Sequence, residues 1–563
     1  MHLSERSVYY TQLQCGQCNF FKRSDMRKNI LKGVAGKALA KTIQNRFKQV
    51  DYKLLTEPFF LRNENDRAWR GEFWGKVIRP AITCAFLTGD QELRALIDDS
   101  VSDMMKTQTP DGSISTYPSD QQLTAWDIWG RKYSILGLIR YYELLNPDPE
   151  VLECCCRALD YLMSFIGPDK MDILECGNHN GLPASSILGA VVSLWKLTGN
   201  SKYRAFAQYI IERGCSGLGN IYECCDLGIA PAVLGNGKAY EMTSCFQGLA
   251  ELAMLETNPD WNRIAAKYGK AVLEHEIFIT GTGGAKDRMG EFWFDGALRQ
   301  TRSDCGALGE TCVTVTWMRY CLRLLQLTDD MTFADAIERA LYNALLGAWG
   351  PDGSNWIHAN PTPLTGGGYK KYADDQILRT LGKPFGGHDC CRAQGPEGLV
   401  VAAEFAVLEN GNCITVNLFE ALDSGALHIT GNYPFEPQAK ISFDDPEDKV
   451  LRLRTPAFLK SVKFNGVPVE FTRSVYLELS HVGGAADTIE MEFDFTLKEI
   501  LSPDGKFTAI MRGPLVLAED SRGKVADSGV SVQWRGRELC EYAAAGNLIC
   551  EENTLTVWFR NNQ

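Results

Sequence analysis

The sequence lacks the features by which several protein classes are recognised. Its 563 residues contain no run of about 18 apolar residues, so no membrane-spanning segment is expected. Lysine and arginine, 58 in all, are outnumbered by 70 acidic residues, and the net charge of −12 argues against nucleic-acid binding. Residues 1–6 lack the charged-then-apolar order of a secretory signal. We therefore expect a cytoplasmic protein that contacts neither a membrane nor a nucleic acid.

The cysteines do not form the pattern of a disulfide-rich secreted protein. They number 19, an odd count, and several are adjacent in helix-like segments, as at 154–156 and 224–225. This usage is typical of a reducing compartment. Cys15 and Cys18 have the spacing of a metal-binding pair, but no second pair lies near them. We interpret that pair as incidental, because the motif alone is weak.

A split cluster of thiols and one carboxylate is the most informative feature that is present. Glu310 and Cys312 lie in one segment, and Cys390 and Cys391 lie in another, which begins 78 residues after Cys312. Three soft thiolates and one carboxylate make a four-ligand set that suits Zn²⁺. A metal also lowers the pKa of a thiol and so makes it a nucleophile. The alternative is a group of buried, apolar cysteines, which are common in protein cores.

The periodicity of apolar residues divides the chain into a helical part and a β part. Helical patterns run from about residue 30 to 408, and short β-branched runs separated by turn residues follow from about 411. We predict an N-terminal extension (1–29), a helical domain (30–410), a β-sandwich (411–520) and a C-terminal β segment or truncated module (521–563). The helical stretches lie near residues 30–47, 71–88, 91–106, 126–145, 149–166, 184–198, 202–213, 238–256, 261–276, 308–327, 331–346 and 395–408.

A weak internal repeat indicates how these helices are arranged. The segment 87–95 resembles 197–205, and related junctions occur near residues 145, 257 and 328. Each junction ends one helix and supplies a capping residue for the next. The spacing of the junctions matches a helical hairpin with its connections. Twelve helices in six hairpins close naturally into an (α/α)₆ barrel; an open solenoid is the alternative, but it would not explain the long loops at 277–308 and 347–394, which we expect to be functional.

Glu291 is a candidate proton donor in the first of these long loops. It stands between Gly290 and the aromatic pair Phe292 and Trp293. Desolvation by aromatic neighbours raises the pKa of a carboxyl group, and glycoside cleavage needs such a donor for the leaving oxygen. The alternative is an ordinary loop carboxylate that faces water.

Several motifs together resemble glycoside hydrolase family 127, whose founding activity is that of a β-L-arabinofuranosidase. They are Gly-Glu-Phe at 290–292, Gly-Glu-Thr-Cys at 309–312, Glu-Arg-Ala-Leu-Tyr-Asn at 338–343, the cysteine pair at 390–391, and β-region motifs at 416–418, 451–456, 464–466 and 511–516. The resemblance implies an (α/α)₆ barrel followed by a β-sandwich. It also implies Cys390 as nucleophile, Glu291 as general acid/base, and Glu310, Cys312, Cys390 and Cys391 as zinc ligands.

The sequence departs from the family pattern in the sugar-binding positions. Lys132 and Lys238 stand where the family has histidines, and Arg392 follows the cysteine pair where a proline region is usual. Two lysines and an arginine would suit a substrate that carries a carboxylate, although both lysines could be solvated helix residues. Further substrate-binding candidates are Glu72, Trp74, His179, His358 and His388.

These observations favour a retaining glycoside hydrolase that removes a terminal sugar, either β-L-arabinofuranose or a related sugar, neutral or acidic. The substrate would be an oligosaccharide or glycan and the cofactor Zn²⁺, and a homodimer is possible. A second hypothesis is a uronate-acting hydrolase, lyase or epimerase on the same barrel with a structural zinc. A third is a carbohydrate-binding protein without turnover, against which the retention of both Cys390 and Glu291 argues.

Overall fold

The structure, a computed structural model, has a helical N-terminal part followed by β-sheets. It describes residues 27–285, 290–302, 307–361, 390–444, 449–482, 487–523, 525, 528–545 and 554–561. Among these residues, no helix combines the length and apolar character that crossing a bilayer needs. The cysteines that lie in the described ranges are all free thiols.

Each of the twelve predicted stretches contains a helix. In chain order the helices are α1 (Val34–Thr42), α2 (Tyr52–Leu61), α3 (Gly71–Thr88), α4 (Gln91–Lys106), α5 (Asp127–Leu144), α6 (Pro149–Phe165), α7 (Leu182–Ser185), α8 (Leu188–Thr198), α9 (Ser201–Glu212), α10 (Ile221–Asp226), α11 (Ala239–Glu256), α12 (Pro259–His275), α13 (Gly296–Arg299), α14 (Thr311–Thr328), α15 (Met331–Arg339), α16 (Leu346–Ala348), α17 (Cys390–Gln394) and α18 (Pro396–Ala406). π-Helical turns lie at Ile43–Phe47 and Ala340–Leu345, and short 3₁₀ turns at Ser119–Gln121, Ile173–Glu175, His179–Gly181 and Pro231–Val233.

The repeated junctions are helix caps. Gly89 ends α3 in the left-handed conformation, at φ 68°, which glycine adopts without steric cost. Asp90 follows, and its side chain accepts a hydrogen bond from the backbone N–H of Leu93, which caps α4. Gly199 and Asn200 do the same between α8 and α9. The two segments are similar in sequence because both end one helix with a glycine and cap the next helix with the residue that follows it.

The helices form a barrel of two rings. The inner ring consists of α3, α5, α8, α11, α14 and α18, each in contact with the next, and α18 closes the ring on α3. The outer helices α4, α6, α9, α12 and α15 each pack against the inner helix that precedes them, while α1 packs against α18. Because an outer helix separates consecutive inner helices, the inner helices run in parallel and their N-terminal ends meet at one end of the barrel. The predicted (α/α)₆ barrel is confirmed.

The β part contains three larger sheets. Its strands, together with three short strands from the helical part, are β1 (Asn29–Leu31), β2 (Leu308–Glu310), β3 (Ala359–Pro361), β4 (Val407–Asn410), β5 (Cys413–Val416), β6 (Leu422–Ser424), β7 (Leu427–Thr430), β8 (Gln438–Phe443), β9 (Lys449–Leu453), β10 (Leu459–Phe464), β11 (Val467–Val469), β12 (Leu477–Val482), β13 (Thr488–Phe493), β14 (Leu497–Leu501), β15 (Phe507–Arg512), β16 (Leu515–Asp520), β17 (Val532–Trp534), β18 (Arg537–Glu541), β19 (Leu555–Thr556) and β20 (Phe559–Arg560).

Two of the sheets form the predicted sandwich and the third crosses a predicted boundary. The order β1-β6-β7-β8-β13-β10-β11 makes the first sheet and β12-β9-β5-β4 the second, and all pairs are antiparallel except β5 with β9. The third sheet has the order β14-β15-β16-β18-β17, with β19 on β16 and β20 on β15. The boundary predicted at residue 520 thus lies inside this sheet. Strand β1, at the end of the predicted extension, is an edge strand of the first sheet.

Candidate active site

Glu310, Cys312, Cys390 and Cys391 meet at the N-terminal end of the inner ring. Ligand atoms of all four lie within 4.8 Å of one another. The Cys391 Sγ lies 3.3 Å from both the Cys312 Sγ and Glu310 Oε1, and the Cys390 Sγ lies 3.8 Å from the Cys391 Sγ. Cys390 is half-buried, whereas the other three side chains are buried. The structure therefore brings together the four residues that the sequence marked as ligands.

Backbone pairing explains how two distant segments converge. Glu310 is the last residue of β2, which pairs with β3, and the N–H of Thr311 donates to the carbonyl of His358 at 2.8 Å. Helix α14 begins at Thr311, so Cys312 stands in its first turn. Cys390 begins α17, one turn before α18. The short β2–β3 ribbon thus fixes the carboxylate opposite the cysteine pair.

The electrostatics of the cluster distinguish Cys390 from its neighbours. Burial raises the pKa of the Cys312 and Cys391 thiols well above the ordinary value. Hydrogen bonds from the Cys312 and Cys391 thiols, with a further one from His358, outweigh burial at Cys390 and hold its pKa well below that value. The Cys390 thiol, the most accessible of the three, is therefore also the one whose pKa is lowered.

The donor set fits a zinc ion. Three sulfurs and one carboxylate oxygen are the ligands that tetrahedral zinc sites use. Burial, and then the nearby Glu291 and Cys390, raise the pKa of Glu310, and its Oε2 is buried without a hydrogen-bond partner in the described part of the chain. A cation at this point would satisfy that oxygen and offset the charge. Glu291, Glu310 and His358 form an overlapping set that also lies within 4.8 Å.

Glu291 lies beside the cluster on an irregular segment that is attached to α11. The Ala239 N–H donates to the Glu291 carbonyl at 2.9 Å, and Lys238 forms a bridge with Phe292. The Lys238 ammonium forms a short ion pair with the Glu291 carboxylate and lies 3.7 Å from that of Glu241. Burial disfavours the ammonium, but these carboxylates outweigh it and raise the pKa of Lys238. Lys238 therefore lies beside the cluster, and its ammonium is paired with two carboxylates.

Two histidines among the predicted substrate-binding residues also reach the site. The His358 Nδ1 lies 4.0 Å from the Cys390 Sγ. His179 packs edge-on against Trp126 and Phe292, and its Nδ1 lies 3.0 Å from the Asn236 amide nitrogen. Burial and the nearby Lys238 charge lower the pKa of His179 to about 4, so the ring is neutral at pH 7. His179 therefore lies against Phe292, the residue that follows Glu291.

Lys76 is a functional candidate that the sequence analysis missed. Its side chain is fully buried, with the Nζ 3.8 Å from the Cys312 Sγ and 3.1 Å from a Glu72 carboxylate oxygen. The same Glu72 oxygen accepts a short hydrogen bond from the Trp129 indole. Burial raises the pKa of Glu72 to about 7. The i, i+4 spacing of Glu72 and Lys76 on one helix predicts an ion pair between them, but it does not indicate that Lys76 contacts a cysteine.

Other predicted site residues lie elsewhere. Trp74 is fully buried and its indole N–H donates to Ser100 at 2.9 Å, so it packs α3 against α4 and does not line the rim. Lys132 is buried in the barrel, where its Nζ donates to Ser186 at 3.0 Å and lies 3.6 Å from the Trp129 ring centroid. Arg392 is in α17, directly after the cysteine pair. His388 lies outside the described residues.

The fold and site together define a glycoside hydrolase built on an (α/α)₆ barrel, and comparisons with known proteins identify its family. The sequence model of the β-L-arabinofuranosidase GH127 catalytic domain matches residues 13–404, so the chain belongs to glycoside hydrolase family 127. The non-reducing end β-L-arabinofuranosidase of Bifidobacterium longum subsp. longum is 22% identical over an alignment of 490 positions, which covers 76% of this chain and 72% of that protein.

Solved structures agree with the fold. A GH127 β-L-arabinofuranosidase from Geobacillus stearothermophilus T6 superposes with a TM-score of 0.72 at 17% identity, covering 95% of this chain and all of the other. Another GH127 β-arabinofuranosidase superposes with a TM-score of 0.74 at 17% identity, covering 96% and 99%. The expectations of fold, family and enzyme class are confirmed.

Proposed function

We propose that this enzyme is a retaining glycosidase in which Cys390 is the nucleophile and Glu291 the general acid/base. The observation that carries the proposal is the convergence of four side chains within 4.8 Å: Glu310, Cys312, Cys390 and Cys391. Cys390 is half-buried, and it is the thiol of the three whose pKa is lowered. A nucleophile has to be deprotonated and accessible, and Cys390 combines both properties. Glu291 lies beside this cluster, with 28% of its side chain exposed.

Glu310, Cys312, Cys390 and Cys391 are the residues that would hold a zinc ion. When bound, Zn²⁺ would keep the thiols deprotonated and offset their combined charge. Lys76, with its ammonium 3.8 Å from the Cys312 Sγ, supplies part of the same compensation from the protein.

The first displacement forms a thioglycosyl enzyme. Glu291, in its protonated form, donates its proton to the glycosidic oxygen while the Cys390 sulfur attacks the anomeric carbon from the opposite face. The C–S bond forms, the C–O bond breaks, and the leaving group departs as an alcohol.

The second displacement releases the sugar. The Glu291 carboxylate, now deprotonated, takes a proton from water, and the water oxygen attacks the anomeric carbon as the C–S bond breaks. The bonding electrons return to the Cys390 sulfur and Glu291 is protonated again. Two inversions at one carbon retain its configuration.

The sugar in this pocket is most consistent with a neutral pentose such as terminal β-L-arabinofuranose, the sugar named for the relatives. The prediction of an acidic substrate rested on Lys132, Lys238 and Arg392. Lys238 is paired with Glu291 and Glu241, and Lys132 lies behind Trp129 inside the barrel. A substrate carboxylate would have to displace Glu291 from Lys238, and Glu291 would then lose the contact that positions it.

The proposal is tested by replacing Cys390 and a matched cysteine. We expect Cys390→Ala to lose turnover of an aryl β-L-arabinofuranoside, because removing a member of the nucleophile machinery typically costs several powers of ten in rate. Cys156→Ala, at a half-buried cysteine of α6, should keep wild-type activity. Wild-type protein trapped with substrate should show a glycosyl adduct on Cys390 by mass spectrometry, and about one zinc per chain by elemental analysis.

Turnover by Cys390→Ala at the wild-type rate would show that another group is the nucleophile. NMR of the freshly released sugar gives its anomeric configuration. Inversion of that configuration by the wild-type enzyme would equally exclude the double displacement.

A further inference from the structure

A polar cavity lies inside the barrel, and none of the clustered cysteines lines it. It has a volume of about 110 Å³ and is lined by residues of α3, α5, α8, α11 and α14, by Ser186 and by Gln394 at the end of α17. Its deep end is formed by buried residues near the N-terminal ends of the inner helices, namely Lys132, Tyr133 and Tyr240. Partly exposed residues nearer the C-terminal ends, among them Glu143 and Arg323, form its opening. The cavity is therefore entered from the end of the barrel opposite the active site.

An aromatic layer separates this cavity from the catalytic cluster. The hydroxyls of Tyr133 and Tyr240 meet in a short hydrogen bond, and the Tyr240 ring packs edge-on against Trp129 at 5.0 Å. The Lys76 ammonium lies 4.8 Å from the centroid of the Tyr240 ring and also contacts Cys312 on the active-site side. Lys132 contacts the same layer from within the cavity, at 4.8 Å from the Tyr133 ring.

The walls of the cavity carry more positive than negative side chains. Five cations and two acids line it: Arg79, Lys132, Arg140, Arg319, Arg323, Glu143 and Glu251. All four arginines are paired with carboxylates: Arg79 and Arg319 with Glu397, Arg140 with Glu404, and Arg323 with Glu251. Two donor groups remain unmatched.

The unmatched groups are Lys132 and one nitrogen of Arg319. Lys132 is 3% exposed and has no carboxylate within ion-pair distance among the described residues, its hydrogen-bond acceptor being Ser186. Burial lowers the pKa of Lys132 to about 7, as is expected for an ammonium without a counter-ion. Arg319 is 5% exposed, and its Nε is buried without an acceptor in the part of the chain that the structure describes. Buried donors of this kind are costly unless a partner is bound.

We propose that this cavity binds a small oxyanion, with Lys132 as its principal counter-ion and the Arg319 guanidinium as a second donor. A tetrahedral oxyanion or a short carboxylate matches both the volume and the donors, because guanidinium and ammonium groups are the usual partners of phosphate and carboxylate oxygens. Since none of the catalytic cysteines lines the cavity, binding does not depend on a metal or on turnover.

The experiment is equilibrium dialysis of the whole protein with radiolabelled inorganic phosphate, and separately with acetate, at pH 7 and at an ionic strength held constant with sodium chloride. We expect saturable binding of one anion per chain. The anion that binds more tightly identifies whether the site prefers an oxyanion of phosphate type or a carboxylate.

Lys132→Met is the decisive variant. It removes the charge with little change in length, and the loss of a charged hydrogen bond should weaken anion binding by about tenfold or more. Lys53→Met, at an exposed lysine of α2, should bind as the wild type does. Ser193→Leu fills the cavity without removing a charge and should also abolish anion binding. This second variant tests the proposal even if Lys132→Met does not fold. Absence of saturable binding of either anion, or equal binding by wild type and Lys132→Met, would overturn the proposal.

Discussion

At the scale of single residues, Lys238 controls how the Glu291 carboxylate is held. Its ammonium stands between Glu241 and Glu291, so it reduces the repulsion between two acids that lie close together. The family's histidine at this position is replaced by a longer side chain with a permanent charge. The Glu291 carboxylate, which is the form that acts as the base in the second displacement, is positioned firmly by this lysine, because the ion pair is partly shielded from water.

We predict that Lys238→Met lowers kcat/KM roughly tenfold to hundredfold, because a hydrogen bond to a charged group contributes about 1.5–3 kcal/mol. Lys238→Arg keeps the charge and should retain most of the activity. Steady-state kinetics on an aryl arabinofuranoside measure the difference. Equal kcat/KM for Lys238→Met and the wild type would show that Glu291 is positioned by other contacts.

At the residue scale, the motifs indicated which cysteines and glutamate would lie together, whereas the burial of side chains on the inner helices could not be inferred from the sequence. Glu310 and the cysteine pair were recognisable because few functions other than metal binding need those side chains together. Trp74 and Lys132 could not be placed, because a helix of the inner ring buries side chains on every face and periodicity does not say which face meets the rim. Lys76 was missed because its partner Cys312 is distant in sequence.

At the scale of elements, α18 is fixed to the ring by buried carboxylates. Glu397 pairs with Arg79 of α3 and Arg319 of α14, and Glu404 pairs with Arg140 of α5. Because α17 precedes α18 directly, these ion pairs also fix the turn that carries the proposed nucleophile.

The pairing of Glu397 predicts how stability depends on pH. Burial alone would raise the pKa of Glu397, but Arg319, Arg79 and Arg140 outweigh it and lower that pKa. A folded-state pKa below the unfolded value of about 4.3 means that the carboxylate stabilises the fold at neutral pH, and that this contribution is lost as pH falls through the folded pKa. Glu397→Gln should therefore be destabilised at pH 7 by about 3–5 kcal/mol, because buried arginines lose their partner.

The deficit of Glu397→Gln relative to wild type should shrink as the pH falls below the unfolded-state value of about 4.3 and through the lower folded-state pKa, because the wild-type carboxyl then becomes protonated as well. Urea unfolding followed by near-UV circular dichroism measures this at both pH values. Glu57→Gln, at an exposed glutamate of α2, serves as the control. A deficit that is the same at pH 7 and at pH 3 would contradict the role of the Glu397 charge.

Elements that depend on local sequence were predictable, and those that depend on distant pairing were not. The caps at Asp90 and Asn200 are set by neighbouring residues, and the helices they begin were predicted closely. The three residues of β1 do not by themselves indicate a strand, because β1 forms by pairing with β6, almost 400 residues away in the sequence. The β2–β3 ribbon that carries Glu310 is likewise a product of tertiary pairing.

At the scale of the whole molecule, the barrel and the β part are joined by buried polar contacts. The Asn343 amide donates to the Pro514 carbonyl at 3.0 Å and accepts from the Val516 N–H at 2.7 Å. Arg454 of the β part reaches Glu338 of α15 at 2.5 Å. Residues of the motifs at 338–343, 451–456 and 511–516 therefore hold the two parts of the molecule together.

The ion pair between Arg454 and Glu338 makes the two parts interdependent. Arg454 is fully buried, Glu338 is 3% exposed in its side chain, and the Tyr433 hydroxyl donates to the same carboxylate at 2.7 Å. Arg454→Met leaves a buried carboxylate without its cation, which costs about 3–5 kcal/mol. The double variant Arg454→Met with Glu338→Leu leaves no buried charge behind, because the other partner of Arg454, Asp335, is 38% exposed and remains in contact with water; we expect it to recover most of that loss. Differential scanning calorimetry should show a lower and broader transition for the single variant, as barrel and β part unfold separately, and a transition close to that of the wild type for the double variant. Equal destabilisation in the two variants would mean that packing around Arg454, and not its charge, joins the barrel to the sheets.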